Sequence, residues 1–422
     1  MASWIPIEDG SDFSLQNLPY GVFSTDDLDQ RIGVAIGDYV LDLKALAQEK
    51  VFAAIDFDSS TLEEPTINAY ASLRKRVHQD VRKLLQEILN ESTLLGPVLR
   101  DHRGRRDRVL VPLSGAKMHM PMHIGDYTDF FVGRYHAQNC CDIFRPGMGL
   151  PPNFSSLPVG YHGRASSVVI SGTPVHRPKG QIVLSGIPTE SLCQKLDFEV
   201  EFAAFIGRGN KMGSRIDVNE AEDHIFGVVL MNDWSARDIQ QWESTPLGPF
   251  NGKNFCTTIS PWIVTLEALE PFRTTPLTVD PQLPYLNQDE KESVYDIPIR
   301  VSLENDSGTY SVTECNTKHV VFSFAQMLAH HTVGGCPMRP GDLIATGTLS
   351  GPTRGELGCL LEATRNGIDP YEMEAQFSAK QNISRAFLED GDTIEFKAQV
   401  QGKSGLGHVG FGACKGKIVA PA

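Results

Sequence analysis

Residues 197 to 202 read Asp-Phe-Glu-Val-Glu-Phe. On a β-strand, side chains at i and i+2 share a face, so Asp197, Glu199 and Glu201 line one side and Phe198, Val200 and Phe202 the other. Neighbouring carboxylates on such a face sit about 6.5 Å apart and repel by roughly 2–3 kcal/mol at an effective dielectric of about 20. The run Ala203-Ala204-Phe205-Ile206 follows, which points to a strand entering a core. Carboxylates crowded beside a core need a cation. The plainer alternative is an exposed acidic face on an antiparallel strand.

Further polar groups surround this strand in sequence. The run Ile225 to Met231 reads as a buried strand and ends at Asn232-Asp233, a helix-cap signal. A helix starting there places Asp233, Arg237 and Gln240 at i, i+4 and i+7, on one face. A local cap with an Asp–Arg pair would explain the first two but not Gln240. Over Gly125 to His136, a helix puts Asp129 and His136 at i and i+7, with Gly133 between them. The missing Cβ there lets another group approach the backbone. A lone histidine is otherwise a core or surface residue bonded to a carbonyl.

Pro246 to Thr258 is a glycine- and proline-fixed loop presenting Lys253, where a lysine is ordinarily solvated. Gly347-Thr348-Leu349-Ser350-Gly351 is a loop after an expected strand, without the spacing or the lysine of a phosphate loop. Glu362 follows Cys359-Leu360-Leu361, an amphipathic surface position on its plain reading. Neither a Gly-x-Ser-x-Gly elbow nor a nucleotide fingerprint occurs. Metal-assisted, water-based or enolate chemistry therefore stands ahead of a serine nucleophile or a dinucleotide.

The elements that must position these groups are β-rich. Residues 31 to 43 read as two short strands joined at Gly37-Asp38. From 64 to 98, Leu73, Val77, Val81, Leu84, Leu85 and Ile88 recur at helical spacing. The basic run Arg100 to Arg108 reads as a solvated connector, with a domain boundary near 115–120. Beyond it, residues 299–303 and 393–400 alternate like strands, and Pro340-Gly341-Asp342 marks a turn before Leu343-Ile344-Ala345. Residues 146–158 and 276–298 are expected as loops.

The 422 residues suffice for two or three domains, and 38 Gly with 26 Pro favour a turn-rich body. A net charge of −14 disfavours nucleic acid and anionic membrane, while leaving room for a small anionic substrate beside a local cation. Eight scattered cysteines contain no Cys-x-x-Cys, which argues against a structural zinc site and for a reducing compartment. The N-terminus has no basic n-region or apolar h-region, no run reaches transmembrane length, and the cytoplasm is the expected location.

Several segments carry a wider likeness: Gly-Asp-Tyr-Thr-Asp-Phe at 125–130, Pro-Val-Gly-Tyr-His-Gly-Arg-Ala-Ser-Ser at 158–167, Asp197 to Glu201, and Leu-Met-Asn-Asp-Trp-Ser-Ala-Arg-Asp-Ile-Gln at 230–240. Pro-Leu-Gly-Pro-Phe at 246–250, Arg-Pro-Gly-Asp-Leu at 339–343 and Val-Gly-Phe-Gly at 409–412 extend it. In these, over nearly its whole length, the chain resembles the fumarylacetoacetase family. The resemblance implies a mainly β chain with some α: an SH3-like β-barrel N-terminal domain with a helical segment over 1–118, and a β-rich, mixed β-roll catalytic domain over 119–422. It implies a cytoplasmic homodimer acting on a small β-diketo acid, with neither nucleic acid nor membrane as partner. The implied reaction is hydrolysis of 4-fumarylacetoacetate to fumarate and acetoacetate, the last step of tyrosine and phenylalanine breakdown.

Residue by residue, Asp129, Glu199, Glu201 and Asp233 match the family's Ca²⁺ or Mg²⁺ ligands, and an all-oxygen set suits a hard cation. That cation is expected to hold the diketone and stabilise the departing enolate. His136 matches the general base and Glu362 the carboxylate that orients it. Arg237, Gln240 and Lys253 match the groups around developing negative charge. Arg145, Tyr161, Gln240 and Thr348 match substrate contacts. Lys253 and Thr257 match a second, magnesium-associated site; an ammonium has no lone pair, so any part of Lys253 there falls to its backbone or a water. Phe131 and Ser244 stand at two substrate positions where the family has tyrosines. The same superfamily also offers a metal-dependent 2-oxo-acid decarboxylase or hydratase, and a non-catalytic scaffold of this fold is a third reading.

Overall fold

The hairpin expected over 31–43 forms: Arg31–Ile36 pairs antiparallel with Tyr39–Asp42 about Gly37, whose φ of +53° a side chain would resist. In the computed structural model, which describes residues 2–277, 282–376, 379–402 and 407–421, this hairpin is the middle of a five-stranded antiparallel sheet. The strand order is Leu110–Pro112, Tyr39–Asp42, Arg31–Ile36, Tyr20–Ser24, Lys117–His119. The order is linear, and its two end strands do not pair, so the sheet remains open where a closed SH3-like barrel was expected. The apolar surface that closure would bury is covered otherwise. Val22, Ile32 and Val34 share one core with Val81, Leu85 and Ile88 of helix Lys75–Leu89 and with Ala203, Phe205 and Met231 of the neighbouring sheet.

The basic connector is a correction. Arg103–Val109 is a helix, capped by the His102 side chain, which accepts from the Arg105 backbone N–H. Arg105 and Arg108 both pair with Glu49, and that shared carboxylate holds two like charges on a single turn.

Two larger sheets follow. A seven-stranded mixed sheet runs Gly160–Gly163, Tyr127–Phe130, Leu343–Ala345, Val200–Ile206, Ile225–Asn232, Thr257–Ile259, Val168–Ile170. A second sheet is built around Pro298–Asn305 and Thr393–Gln401, the two segments whose alternation is plain in the sequence. Phe202 of the first sheet and Phe396, Val301 and Leu303 of the second lie in one core. The chain is thus mainly β with some α. Residues 146–158 are an irregular loop, whereas the expected loop over 276–298 contains a short strand at Val294–Tyr295, and its residues 278–281 lie outside the described residues. All eight cysteines are free thiols. Among the described residues, no helix is long and apolar enough to cross a membrane.

Candidate active site

Three adjoining strand ends deliver the carboxylates. Ala345 pairs on one side with Asp129 and on the other with Ala203, two residues past Glu201. Glu201 is in turn paired with Met231, two residues before Asp233. One carboxylate oxygen from each of Asp129, Glu201 and Asp233 falls within 4.8 Å of the others, and all three residues are buried. Both oxygens of Glu201 and Oδ1 of Asp129 have no hydrogen-bond partner among the described residues. Burial, then the neighbouring carboxylates, push Glu201 and Asp129 well above the usual carboxylate range. Buried oxygen atoms left without donors are costly. Three oxygen donors aimed at one point fit a hard divalent cation.

Glu199 is differently placed. The strand is interrupted at residues 198–199, so the expected continuous alternation from Asp197 breaks there. Oε2 of Glu199 accepts from Thr348 Oγ1 at 2.5 Å and faces Lys253 Nζ at 2.9 Å. Its Oε1 accepts from Ser235 at 2.9 Å and from Arg237. Burial raises the Glu199 pKa, but Arg237 and Lys253 outweigh it and hold the carboxyl well below its ordinary value. Asp197 lies one step further out. It accepts from Arg237 Nε at 2.9 Å and from the backbone N–H groups of Leu360 and Leu361, both at 2.8 Å.

Arg237 therefore neutralises two buried carboxylates. The helix it belongs to is Arg237–Glu243, not one beginning at Asp233. Ser235-Ala236 is still extended, because it pairs with Leu196-Asp197. Asp233 is spent on Lys253, at 2.8 Å, and on Thr257, at 2.6 Å, rather than on a cap. Gln240 Oε1 accepts from Arg237 Nη1 at 3.1 Å, which leaves the amide NH₂ to donate elsewhere. Arg237 Nη2 is buried without a partner among the described residues. Removing this arginine is expected to leave buried Asp197 without a cationic partner and Glu199 with Lys253 as its one remaining cation. Arg237→Ala should lose about 3–5 kcal/mol of stability, read by denaturant unfolding of the metal-free protein. A loss under about 1 kcal/mol, the scale of an exposed pair, would contradict the arrangement.

Lys253 is buried, not solvated. The Glu243 carboxylate accepts from the backbone N–H of Phe250 at 3.0 Å and of Gly252 at 2.6 Å, folding the loop back. Gly252 sits so close to Gln240 that a Cβ would overlap it. Burial lowers the Lys253 pKa, but Asp233 and Glu199 outweigh it and raise the group above the ordinary lysine value.

The histidine stands on another element. Tyr127–Phe130 is a strand and Arg134–Phe144 a helix, so Asp129 and His136 do not share a helix face. The turn between them tucks Gly133 against the Thr348 carbonyl, the close approach that the glycine permits. His136 Nδ1 lies 2.7 Å from Glu362 Oε2. Glu362 is buried on the short helix Leu360–Ala363, not at a surface. It also accepts from Asn139 at 2.7 Å, Ser350 at 2.8 Å and Cys359 at 3.0 Å. Burial lowers the pKa of His136, but Cys140 and the Glu362 carboxylate outweigh it and carry the imidazole well above the ordinary histidine value. Asn139 was missed, although its place three residues after His136 on one helix could have pointed to it. Ser350 and Ser235 gave no signal by spacing.

A cavity of about 630 Å³ joins these groups, lined by Asp129, Phe131, His136, Arg145, Tyr161, Glu199, Arg237, Gln240, Ser244, Lys253 and Thr348. Glu201, Asp233, Thr257 and Glu362 do not line it. The Tyr161 hydroxyl favours the ionised form of Asp129. Phe131 packs edge-to-face on His136, centroids 5.5 Å apart. The Ser244 hydroxyl donates to the Gln240 carbonyl. A larger cavity of about 1030 Å³ under residues 10–13, lined by Arg300, Glu304, Glu395 and Lys397, contains none of these groups.

Residues 134–419 match the family described as fumarylacetoacetate (FAA) hydrolase C-terminal, and residues 16–121 match fumarylacetoacetase N-terminal. The chain belongs to the fumarylacetoacetase family. A fumarylacetoacetase of Arabidopsis thaliana is 47% identical over 99% of this chain and 98% of its own length. One from Homo sapiens is 44% identical over the same shares. A solved fumarylacetoacetate hydrolase from Exiguobacterium antarcticum covers 96% of this chain and 99% of its own, with a TM-score of 0.50 at 17% identity, a likeness of fold. The family's two domains thus account for both the open N-terminal sheet and the sheets that carry the cavity.

Proposed function

We propose that this chain is a hydrolase that cleaves the carbon–carbon bond of 4-fumarylacetoacetate with water, giving fumarate and acetoacetate. Full-length likeness to fumarylacetoacetases supports the substrate. The observation that carries the chemistry is one cavity bordered by both a buried histidine–carboxylate pair at 2.7 Å and a carboxylate cluster in which both Glu201 oxygens and Asp129 Oδ1 lack donors among the described residues.

Asp129, Glu201 and Asp233, with Glu199 beside them, would hold a divalent cation, Mg²⁺ or Ca²⁺. Such an ion supplies Lewis acidity toward a diketone and charge stabilisation toward its enolate. The other roles belong to side chains. With Nδ1–H donating to Glu362, His136 Nε2 is the atom that takes a proton from water. Arg237 Nη2 and the Gln240 amide, each with donor capacity left over, face developing negative charge on the attacked carbonyl. Lys253 adds a fixed positive charge. Arg145, Tyr161 and Thr348 border the substrate. Phe131 and Ser244 offer it no free hydroxyl proton, because Ser244 donates its own to Gln240.

The raised His136 pKa gives this assignment a pH signature. A base must be neutral, so kcat/KM is expected to rise with pH through the deprotonation of His136. The Glu362 carboxylate favours the protonated imidazole, so removing its charge lowers that pKa. Glu362→Gln should therefore move the acid limb of the profile to lower pH and reduce the plateau, since the ring loses its orienting acceptor. An acid limb unmoved by this substitution would contradict the pairing.

The finer reading is a cytoplasmic homodimer at the end of tyrosine and phenylalanine breakdown, divided near residues 118 and 119. The exposed Val183, Leu184 and Ile187 of hairpin 179–192, with Leu247 and Phe250 on the loop below the cavity, support a second copy as their cover. Light scattering tests it. A monomer at micromolar concentration would overturn it.

A further inference from the structure

Two thiols flank the His136–Glu362 pair, and the hydrolase reading gives neither a part in the bond-breaking step. Cys140 lies one helical turn after His136. Its Sγ is 3.4 Å from His136 Nε2 and 3.9 Å from Nδ1. Cys359, fully buried, directs its Sγ to Glu362 Oε2 at 3.0 Å. Oε2 is also the oxygen that His136 Nδ1 reaches at 2.7 Å. Single donor atoms of His136, Cys359 and Glu362 all lie within 4.8 Å of one another. Around a tetrahedral Zn²⁺, sulfur, nitrogen and oxygen ligands at their usual bond lengths lie about 3.3–3.8 Å apart. The Cys140–His136, Cys359–Glu362 and His136–Glu362 distances of 3.4, 3.0 and 2.7 Å lie within or just below that edge length. Cys140 is outside the set of His136, Cys359 and Glu362 and touches only His136 among them, so its side chain must rotate to supply the fourth ligand. Glu362 is not free to swing away, because Asn139 holds its other oxygen at 2.7 Å.

We propose that Cys140, His136, Cys359 and Glu362 form a second metal site, selective for a thiophilic divalent cation of the Zn²⁺ class, whose occupation blocks the base. This site differs in kind from the carboxylate cluster. Asp129, Glu201 and Asp233 offer only oxygen and suit Mg²⁺ or Ca²⁺. Two sulfurs and an imidazole suit a softer ion. As each sulfur takes the cation, its proton passes to water, so binding strengthens as pH rises. The two thiolates and the carboxylate leave one net negative charge around Zn²⁺. Entry is open, because Cys140 and His136 both line the cavity. A cation there holds the imidazole lone pair and breaks the hydrogen bond to Glu362, so His136 can no longer take a proton from water.

The test uses Co²⁺ as a spectroscopic stand-in for Zn²⁺ on the full chain in saturating Mg²⁺. A thiolate-to-cobalt charge-transfer absorption should rise to one equivalent and disappear on adding Zn²⁺. In turnover, Zn²⁺ should inhibit, and excess Mg²⁺ should not relieve it. Losing an outer-shell partner already costs about 10–100-fold in metal affinity, so the Cys140→Ser, Cys359→Ser double variant should need at least that much more Zn²⁺, measured against its own zinc-free rate. No thiolate band, a band that survives in the double variant, or inhibition reversed by Mg²⁺ would overturn the site. A band without loss of turnover would overturn the block. The inhibition rests on the hydrolase reading, but the absorption does not, so the two fail separately.

Discussion

His136→Ala is expected to lower turnover by about 10²–10⁴-fold, the usual contribution of a positioned proton-transfer group. The fold should tolerate the change. Glu362 keeps Asn139, Ser350 and Cys359 as donors, so its carboxylate is not stranded. The cation site should also remain, because His136 is not among the three carboxylate residues that converge. The variant should therefore bind Mg²⁺ with nearly unchanged affinity, as read by the shift in melting temperature it induces. Near-wild-type turnover would contradict the base assignment. Lost turnover together with lost Mg²⁺ binding would show a collapsed site.

Glu201→Gln separates stability from activity. In the metal-free protein both Glu201 oxygens are buried without donors among the described residues, and burial with the adjoining carboxylates raises its pKa well above the ordinary range. A carboxyl raised in the folded state binds more protons folded than unfolded. Stability therefore falls as pH rises from the ordinary carboxylate value toward the raised one. The neutral amide removes that cost, so the chelated variant should melt higher than the chelated parent at neutral pH. It also removes one charge from the ion's site. The parent should gain about 2.7 kcal/mol at an ion concentration 100 times Kd, and the variant far less. A cation's charge stabilisation is worth several kcal/mol, so turnover should fall by about 10³-fold. A variant that still melts higher with Mg²⁺ and turns over normally would contradict the ion's placement.

The sequence made strands legible at 299–303 and 393–400, where hydrophobic residues alternate, and at Gly37, where a turn residue is forced, but not the alternating strand Gly308–Asn316. It made the site residues legible only as a set. The helix drawn from Asp233 failed because Ser235-Ala236 is claimed by a partner strand 39 residues upstream in chain order, at Leu196-Asp197, which no local cap rule contains. The placement of Asp129 and His136 on one helix failed for the same reason: Tyr127–Phe130 is recruited by Leu343–Ala345. Lys253 and Glu362 looked like surface positions because their partners, Asp233, Glu199 and His136, are remote in sequence. The two thiols beside His136 were invisible as a pair, since 219 residues separate Cys140 from Cys359.

The most direct measurement is turnover of 4-fumarylacetoacetate by the purified, chelator-stripped protein, with and without added Mg²⁺ or Ca²⁺. The expected result is no loss of the diketone without the ion and restored loss with it, with fumarate and acetoacetate appearing in equal amounts. A folded protein that binds the ion yet leaves the diketone intact would contradict the hydrolase. Carbon dioxide released from a 2-oxo acid by that same protein would assign the carboxylate cluster to a different reaction.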